Sequence, residues 1–200
     1  GNGTCNAVND QVSYTITPAP TVGAGADQTL CGNNANATLN GSFTVATGIL
    51  WSGGAGTFSP GATTVNAVYT PTATEIANGS VTLTITTTGV GTCTAVADQM
   101  TIGFTASPTA SAGADITLCA NNSSVALNGS VTLATGGVWS GGTGTFSPNN
   151  STRNATYTPT AAELAGGILT LTLTTTGNVT CNAASVSRVI TFTPAPVVNA

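Results

Sequence analysis

Strict two-residue alternation is the clearest signal along the chain. Val81-Thr82-Leu83-Thr84-Ile85-Thr86 and Leu169-Thr170-Leu171-Thr172-Leu173-Thr174 put aliphatic side chains on one face and threonines on the other, which predicts strands with one buried and one wet face. A further strand is expected over Asp98-Gln99-Met100-Thr101-Ile102-Gly103-Phe104-Thr105, with Ser187-Arg188-Val189-Ile190-Thr191-Phe192-Thr193 as its copy. Earlier in the chain, residues 25–31 form a short extended lead and residues 37–45 alternate around Asn40-Gly41, a strand with a bend. Ile49-Leu50-Trp51 is ended by glycines, and Val65 to Thr70 stops at Pro71, which has no N–H to give a ladder. Thr72-Ala73-Thr74-Glu75 and Thr160-Ala161-Ala162-Glu163 fit the capping box, in which a Thr side chain and a Glu three residues on satisfy each other's backbone donors. Gly79 and Gly166 then end a helix of about one turn.

These elements occur twice. Trp51-Ser52-Gly53-Gly54-Ala55-Gly56-Thr57-Phe58-Ser59-Pro60 returns 88 residues later as Trp139 to Pro148 with one change. The same offset relates Cys5, Cys93 and Cys181, Cys31 and Cys119, Tyr69 and Tyr157, and Glu75 and Glu163, the mark of a tandem array without insertions. Each copy carries a Trp and a Phe on either side of a glycine turn, so Trp51, Phe58, Trp139 and Phe146 are the expected core aromatics. About seven short strands per unit, with turn signals every ~8 to 12 residues, predict an immunoglobulin-like β-sandwich. The frame follows from Pro20, Pro108 and Pro196. Units are expected at 20–107 and 108–196, with 1–19 as the C-terminal strand of a preceding repeat and 197–200 opening a following one, as in a piece of a longer array. Short proline-bearing linkers limit swivelling, so the expected whole is an all-β linear rod.

Composition narrows the chemistry. Only 4% of residues are charged, the net charge is −4, and the chain contains neither Lys nor His. No basic face can form for a nucleic-acid backbone or an anionic membrane surface. No run reaches the ~18 apolar residues a spanning helix needs, so direct membrane insertion is not expected. Lacking His and Lys, the chain cannot build a Ser-His-Asp or Cys-His nucleophile, a Schiff base, a His-ligated metal or a Lys-Asn isopeptide. No catalytic residues and no cofactor are therefore expected, and Glu75 and Glu163 read as caps. Rows of Thr-x-Thr can suggest an ice-binding surface, but one such strand per 88 residues is ordinary sandwich surface. Asp27, Asp98 and Asp115 are the only calcium candidates, and calcium asks for six to eight oxygens. Val186 stands where the second Asp of the last copy would be, and an Asx-type turn is the preferred reading for Asp27 and Asp115. Periodic cysteines in a lysine-free, Thr-rich chain point to an oxidising, extracellular setting. Period alone leaves two pairings open: Cys31 with Cys93 and Cys119 with Cys181, or Cys5 with Cys31 and Cys93 with Cys119.

The Gly-Ala-Asp opening, Leu-Asn-Gly-Ser, the central Trp and the Leu-Thr-Leu-Thr strand resemble polycystic-kidney-disease-type and related Ig-like repeats. The fuller pattern, Gly-Ala-Asp-Gln-Thr-Leu-Cys, Trp-Ser-Gly-Gly, Gly-Thr-Phe-Ser-Pro and Tyr-Thr-Pro-Thr, is similar to the repeats of SprB-type giant cell-surface adhesins of gliding Bacteroidetes. This resemblance covers essentially the whole chain. It implies type IX secretion, a cell-surface filament, and a role in adhesion or gliding motility. Its partners would be neighbouring repeats of the same chain and, through other regions, surface polysaccharide or the motility machinery. The resembling repeats often carry one Cys near each of these places, which together with the proline frame favours the within-unit bridges Cys31–Cys93 and Cys119–Cys181. Two functions then stand side by side: a structural spacer in a surface filament, or a glycan- or protein-binding module acting through the loops around Trp51 to Pro60.

Overall fold

In the computed structural model, which describes residues 3–6 and 8–196, the chain forms two sets of sheets that exchange no strand. The first set contains strands β1 (Thr21–Gly23), β2 (Gln28–Cys31), β3 (Ala37–Thr38), β4 (Ser42–Thr44), β5 (Gly48–Ser52), β6 (Thr57–Ser59) and β7 (Val68–Thr70). Helix α1 (Ala73–Asn78) then leads into two long strands, β8 (Ser80–Thr88) and β9 (Ala97–Thr105). The second set repeats the order as β10 (Thr109–Ser111), β11 (Ile116–Cys119), β12 (Val125–Ala126), β13 (Ser130–Thr132), β14 (Gly136–Ser140), β15 (Thr145–Ser147), β16 (Thr156–Thr158), α2 (Ala161–Gly166), β17 (Ile168–Thr176) and β18 (Ser185–Thr193).

Each set is a sandwich. A four-stranded sheet ordered β2-β9-β8-β5 covers a three-stranded sheet ordered β3-β7-β6, and β1 pairs with β4 at one side. The first strand of the larger sheet runs parallel to the last, with Gln28 opposite Ile102, and the second set has the same arrangement, with Ile116 opposite Ile190. The alternation sets the layers: Val81, Leu83 and Ile85 of β8 and Met100 and Ile102 of β9 point inward with Trp51, and meet Ala37 and Tyr69 from the smaller sheet. A separate cluster around Trp139, Tyr157, Leu171, Leu173 and Ile190 fills the second sandwich. The fold is an all-β, immunoglobulin-like double sandwich.

Several elements differ from expectation for local reasons. Each set has nine strands where about seven were expected: the three-residue strands β1 and β6 are too short to show an alternation, and residues 37–45, expected as one bent strand, divide into β3 and β4, which belong to different sheets. Of residues 65–70 only Val68 to Thr70 are strand, since Ala67 closes a turn onto the Thr64 carbonyl. Gly79 ends α1 with φ 84°, as its position suggests, but in the second copy the left-handed cap is Gly167, with φ 75°, and Gly166 lies inside α2. Of residues 1–19, read as the C-terminal strand of a preceding repeat, the described residues form no strand here, and Val12, Tyr14 and Ile16 are exposed. These three stand one period before Met100, Ile102 and Phe104, which face the core of the first sandwich or pack against it. The segment thus has the apolar alternation of β9 and no sheet to join. Residues 197–200, expected to open a following repeat, lie outside the described residues.

Candidate functional site

Three places concentrate polar side chains: a carboxylate under the glycine loop of each sandwich, the aspartates near the first strand, and the contact between the sandwiches. The first begins with Trp51 and Trp139, both buried, with their indole N–H groups donating to the carbonyls of Val65 (3.2 Å) and Arg153 (3.0 Å). Phe58 and Phe146, expected in the core, are only half-buried and pack on Tyr69 and Tyr157 with ring centroids 4.9 and 4.7 Å apart. The following Ser59-Pro60 and Ser147-Pro148 peptide bonds are cis.

Beside these aromatics, Glu75 does more than cap α1. Its Oε2 accepts from the Thr72 amide (2.7 Å) and hydroxyl (3.0 Å), while Oε1 accepts from the Ala55 amide (2.7 Å) and the buried Tyr69 hydroxyl (2.8 Å). Glu163 repeats this with Thr160, Thr143 and Tyr157. One carboxylate therefore ties the glycine loop, the smaller sheet and the helix together. The loop must pass very close to make this possible. A Cβ on Gly54 would collide with the Tyr69 hydroxyl, and Gly54 itself has φ 70°. Burial pushes the Glu163 carboxyl up, but the donated hydrogen bonds outweigh it and hold the group at about 2. Glu75 is lowered against the same burial by the same kinds of bond. Tyr69 and Tyr157 are pushed up to about 12, first by burial and then by the carboxylate each faces. With all these acceptor positions filled from within the fold, the carboxylates are structural ties and are not placed to act as an acid or base on a ligand.

The calcium candidates are drawn into the backbone too. Asp27 accepts from the Thr101 amide and Asp115 from the Val189 amide, each at 2.8 Å and 74 residues away. An Asx turn would have used each residue's own stretch of chain; instead these side chains clamp the lead segment to the last strand. Asp98 accepts from the Ala24 amide at 2.8 Å, and the Ala24 and Gln99 amides hold its carboxyl below the usual range. Among the described residues no three His, Cys, Asp or Glu side chains come together as a metal would require.

At the third place the structure overturns both expected cysteine pairings. Cys31, at the end of β2, is bonded to Cys181, in the β17–β18 connection of the other sandwich, with Cα atoms 5.1 Å apart. Cys5, Cys93 and Cys119 are free thiols. The reason is topological. In a single sandwich the two cysteine positions lie at opposite ends: the end of β2 faces the linker that leaves the unit, and the β8–β9 connection holding Cys93 faces the linker that enters it, where Cys93 Sγ lies 4.0 Å from the Pro18 carbonyl. Neighbours meet end to end, so the partner comes from the next unit. Around the bridge, the Asn33 side chain accepts from the Asn182 amide (3.1 Å) and donates to its carbonyl (2.9 Å), and the Asn182 side chain donates back to the Asn33 carbonyl (2.9 Å). A groove of about 450 Å³ beside it is lined by Thr29, Thr105, Ala106, Leu133, Asn178, Val179, Thr180 and Cys181.

Sequence reasoning missed Arg188. Read as part of an ordinary strand, it is buried in the second sandwich, where its Nη1 donates to the Ala126 carbonyl (3.2 Å) and its Nε has no hydrogen-bond partner. The available signal was its position one period after Met100, a core residue.

No protein-family model matches the chain, and no curated protein matches it either. Among solved structures it is similar to four extracellular domains of Drosophila N-cadherin, at 12% identity and a TM-score of 0.40 over 88% of this chain. The chain spans half the length of that structure. It is also similar to an I-band fragment of titin, at 9% identity and a TM-score of 0.35 over 87% of this chain and 65% of the fragment. A SusE-like surface located polysaccharide binding protein of Bacteroides thetaiotaomicron aligns at 13% identity and a TM-score of 0.44 over 86% of this chain and 34% of its own.

Proposed function

We propose that the chain is a run of spacer repeats from a large exported cell-surface adhesin, with units at 20–107 and 108–196 and residues 1–19 supplying the C-terminal strand of a unit before them. In its coarser form the proposal is a cell-surface adhesion or binding-type module. The observation that carries the finer reading is the junction: consecutive sandwiches are held by a covalent bridge and by paired Asn33–Asn182 hydrogen bonds across a short linker. A hinge between binding domains has no need of either. The bridge also supports an oxidising, extracellular location. Gliding motility and type IX secretion rest on the sequence resemblance alone.

The binding-module reading loses its best residues, because Trp51 and Trp139 are buried and offer no face for stacking on a sugar. Small-angle scattering tests the spacer. The oxidised chain should give one narrow interdomain distance that broadens when Cys31–Cys181 is reduced. A broad distribution in the oxidised chain would overturn the reading.

A further inference from the structure

The bridge between the sandwiches obeys the repeat. Cys119 is Cys31 moved on by one period, and Cys93 is Cys181 moved back by one. The local geometry moves with them: Cys31 Sγ lies 4.0 Å from the Ala106 carbonyl, and Cys119 Sγ lies 3.9 Å from the Pro194 carbonyl, its counterpart one period on. At the other end Cys93 Sγ lies 4.0 Å from the Pro18 carbonyl, the counterpart of Ala106 one period back. The chain thus presents the same junction three times, once complete and once in each half.

We propose that Cys31–Cys181 is one rung of a disulfide ladder along the array, in which the cysteine ending the second strand of each repeat bonds the hairpin cysteine of the next. The end faces carrying Cys93 and Cys119 are then docking surfaces for further copies of this repeat. The inference rests on the tandem-repeat reading above. The hydrogen bonds agree with it. Asn121-Asn122 repeats Asn33-Asn34 on the outgoing face. On the incoming face Thr94 replaces Asn182, yet two of the three Asn33–Asn182 bonds use only the main-chain N–H and C=O of residue 182, which threonine also has. Each rung forms when two thiols lose two protons and two electrons to a disulfide oxidant such as glutathione disulfide, which is reduced to two thiols. The mechanical consequence reverses that of within-unit bridges. Tension crossing a rung enters a repeat at its hairpin cysteine and leaves at its second-strand cysteine, so the stretch a repeat can release is that from Cys119 to Cys181, and the linker is bypassed.

The test uses two forms of the full chain, both carrying Cys5→Ser, one with Cys93→Ser and the other with Cys119→Ser. Mixed in a glutathione redox buffer, they should form a covalent heterodimer, and non-reducing peptide mapping should find Cys119 of the first form bonded to Cys93 of the second, with Cys31–Cys181 intact in both. Either form alone should stay monomeric. A mixture that stays monomeric, or equal yields of symmetric Cys93–Cys93 and Cys119–Cys119 dimers, overturns the ladder. Neither result touches the spacer reading, which stands or falls on the interdomain distance within one chain.

Discussion

The two sandwiches share one frame and differ at its margins. Trp, Tyr, the capping Thr and Glu and the glycine loop are the same in both, and the hydrogen bonds among them repeat within a few tenths of an ångström. At the end of the core the residues change together. The first sandwich has Met100 in the core, and there Gln28 donates from its side chain to the Thr38 carbonyl at 2.8 Å. In the second, Ile116 takes the place of Gln28, and Arg188, in the place of Met100, reaches the Ala126 carbonyl, the counterpart of Thr38. The same carbonyl is satisfied from a neighbouring strand in one unit and from the core in the other. In both units that carbonyl accepts a side-chain hydrogen bond, though from a different residue pair.

The shared frame should fail alike in both units. Truncating Trp51 or Trp139 to Ala removes the largest buried side chain of each core, and each change should cost about 3 to 5 kcal/mol, most of one sandwich's stability. Because each unit has a single Trp, Trp51→Phe and Trp139→Phe forms let denaturant unfolding be followed by fluorescence one unit at a time. A Trp→Ala change also removes its own unit's fluorophore, so the loss is read from far-UV circular dichroism of the whole chain, and a Trp→Ala chain that unfolded as the parent does would remove the indole from the core account.

Next in size is the carboxylate tie. Glu75→Gln and Glu163→Gln keep the shape but turn an amide NH2 toward two donors, so each should cost about 2 to 3 kcal/mol, as for hydrogen bonds to a charged group. The pH dependence has a defined sign. Glu163 sits near 2 in the folded chain against an ordinary 4.5, so its contribution is present above about pH 4.5 and is lost as the pH falls toward 2. Tyr157 is raised to about 12 from 10, so its contribution is present below pH 10 and is lost as the pH rises through 12. Denaturant midpoints measured from pH 2 to 12 should show a plateau between these limits, and the Glu163→Gln chain should lose the acid limb in the second unit.

The period, the core tryptophans and both capping boxes were legible in the sequence because each is a local pattern. What was not legible depends on the distance between places far apart in the chain. Asp27 and Asp115 read as local turns because nothing in their neighbourhood points to Thr101 or Val189. The cysteine pairings weighed from the period joined nearest neighbours, while the bridge spans 150 positions, a pairing visible only once the second strand and the hairpin are known to lie at opposite ends of a unit. Arg188 was hidden by habit, since arginine in an alternating strand is normally solvated, and only comparison with Met100 would have placed it.

That substitution provides the test of the difference between the units. Arg188→Met removes a buried charge whose Nε is unpaired and should stabilise the second sandwich by about 1 to 3 kcal/mol, less the bond to Ala126. Met100→Arg should do the reverse and more, because the Thr38 carbonyl already accepts from Gln28. Combining Met100→Arg with Gln28→Ile should recover part of that loss. If the double change recovers nothing, the paired exchange is coincidence.

The smallest expected effect lies at the single difference between the two decapeptides, Ala55 against Thr143. Both residues donate their amide to the tie, at 2.7 and 2.6 Å, so the main-chain contribution is the same. Thr143 adds a hydroxyl 3.3 Å from that of the capping Thr160. That contact is long and exposed, the capping hydroxyl already donates to Glu163, and water competes for both groups. Thr143→Ala should therefore cost the second unit no more than about 0.5 kcal/mol, and Ala55→Thr should bring the first unit a gain of similar size. Unfolding midpoints of the two single-Trp reporter chains measure both. A loss near 2 kcal/mol from Thr143→Ala would mean that the hydroxyl is part of the tie, and the two frames could no longer be treated as equal.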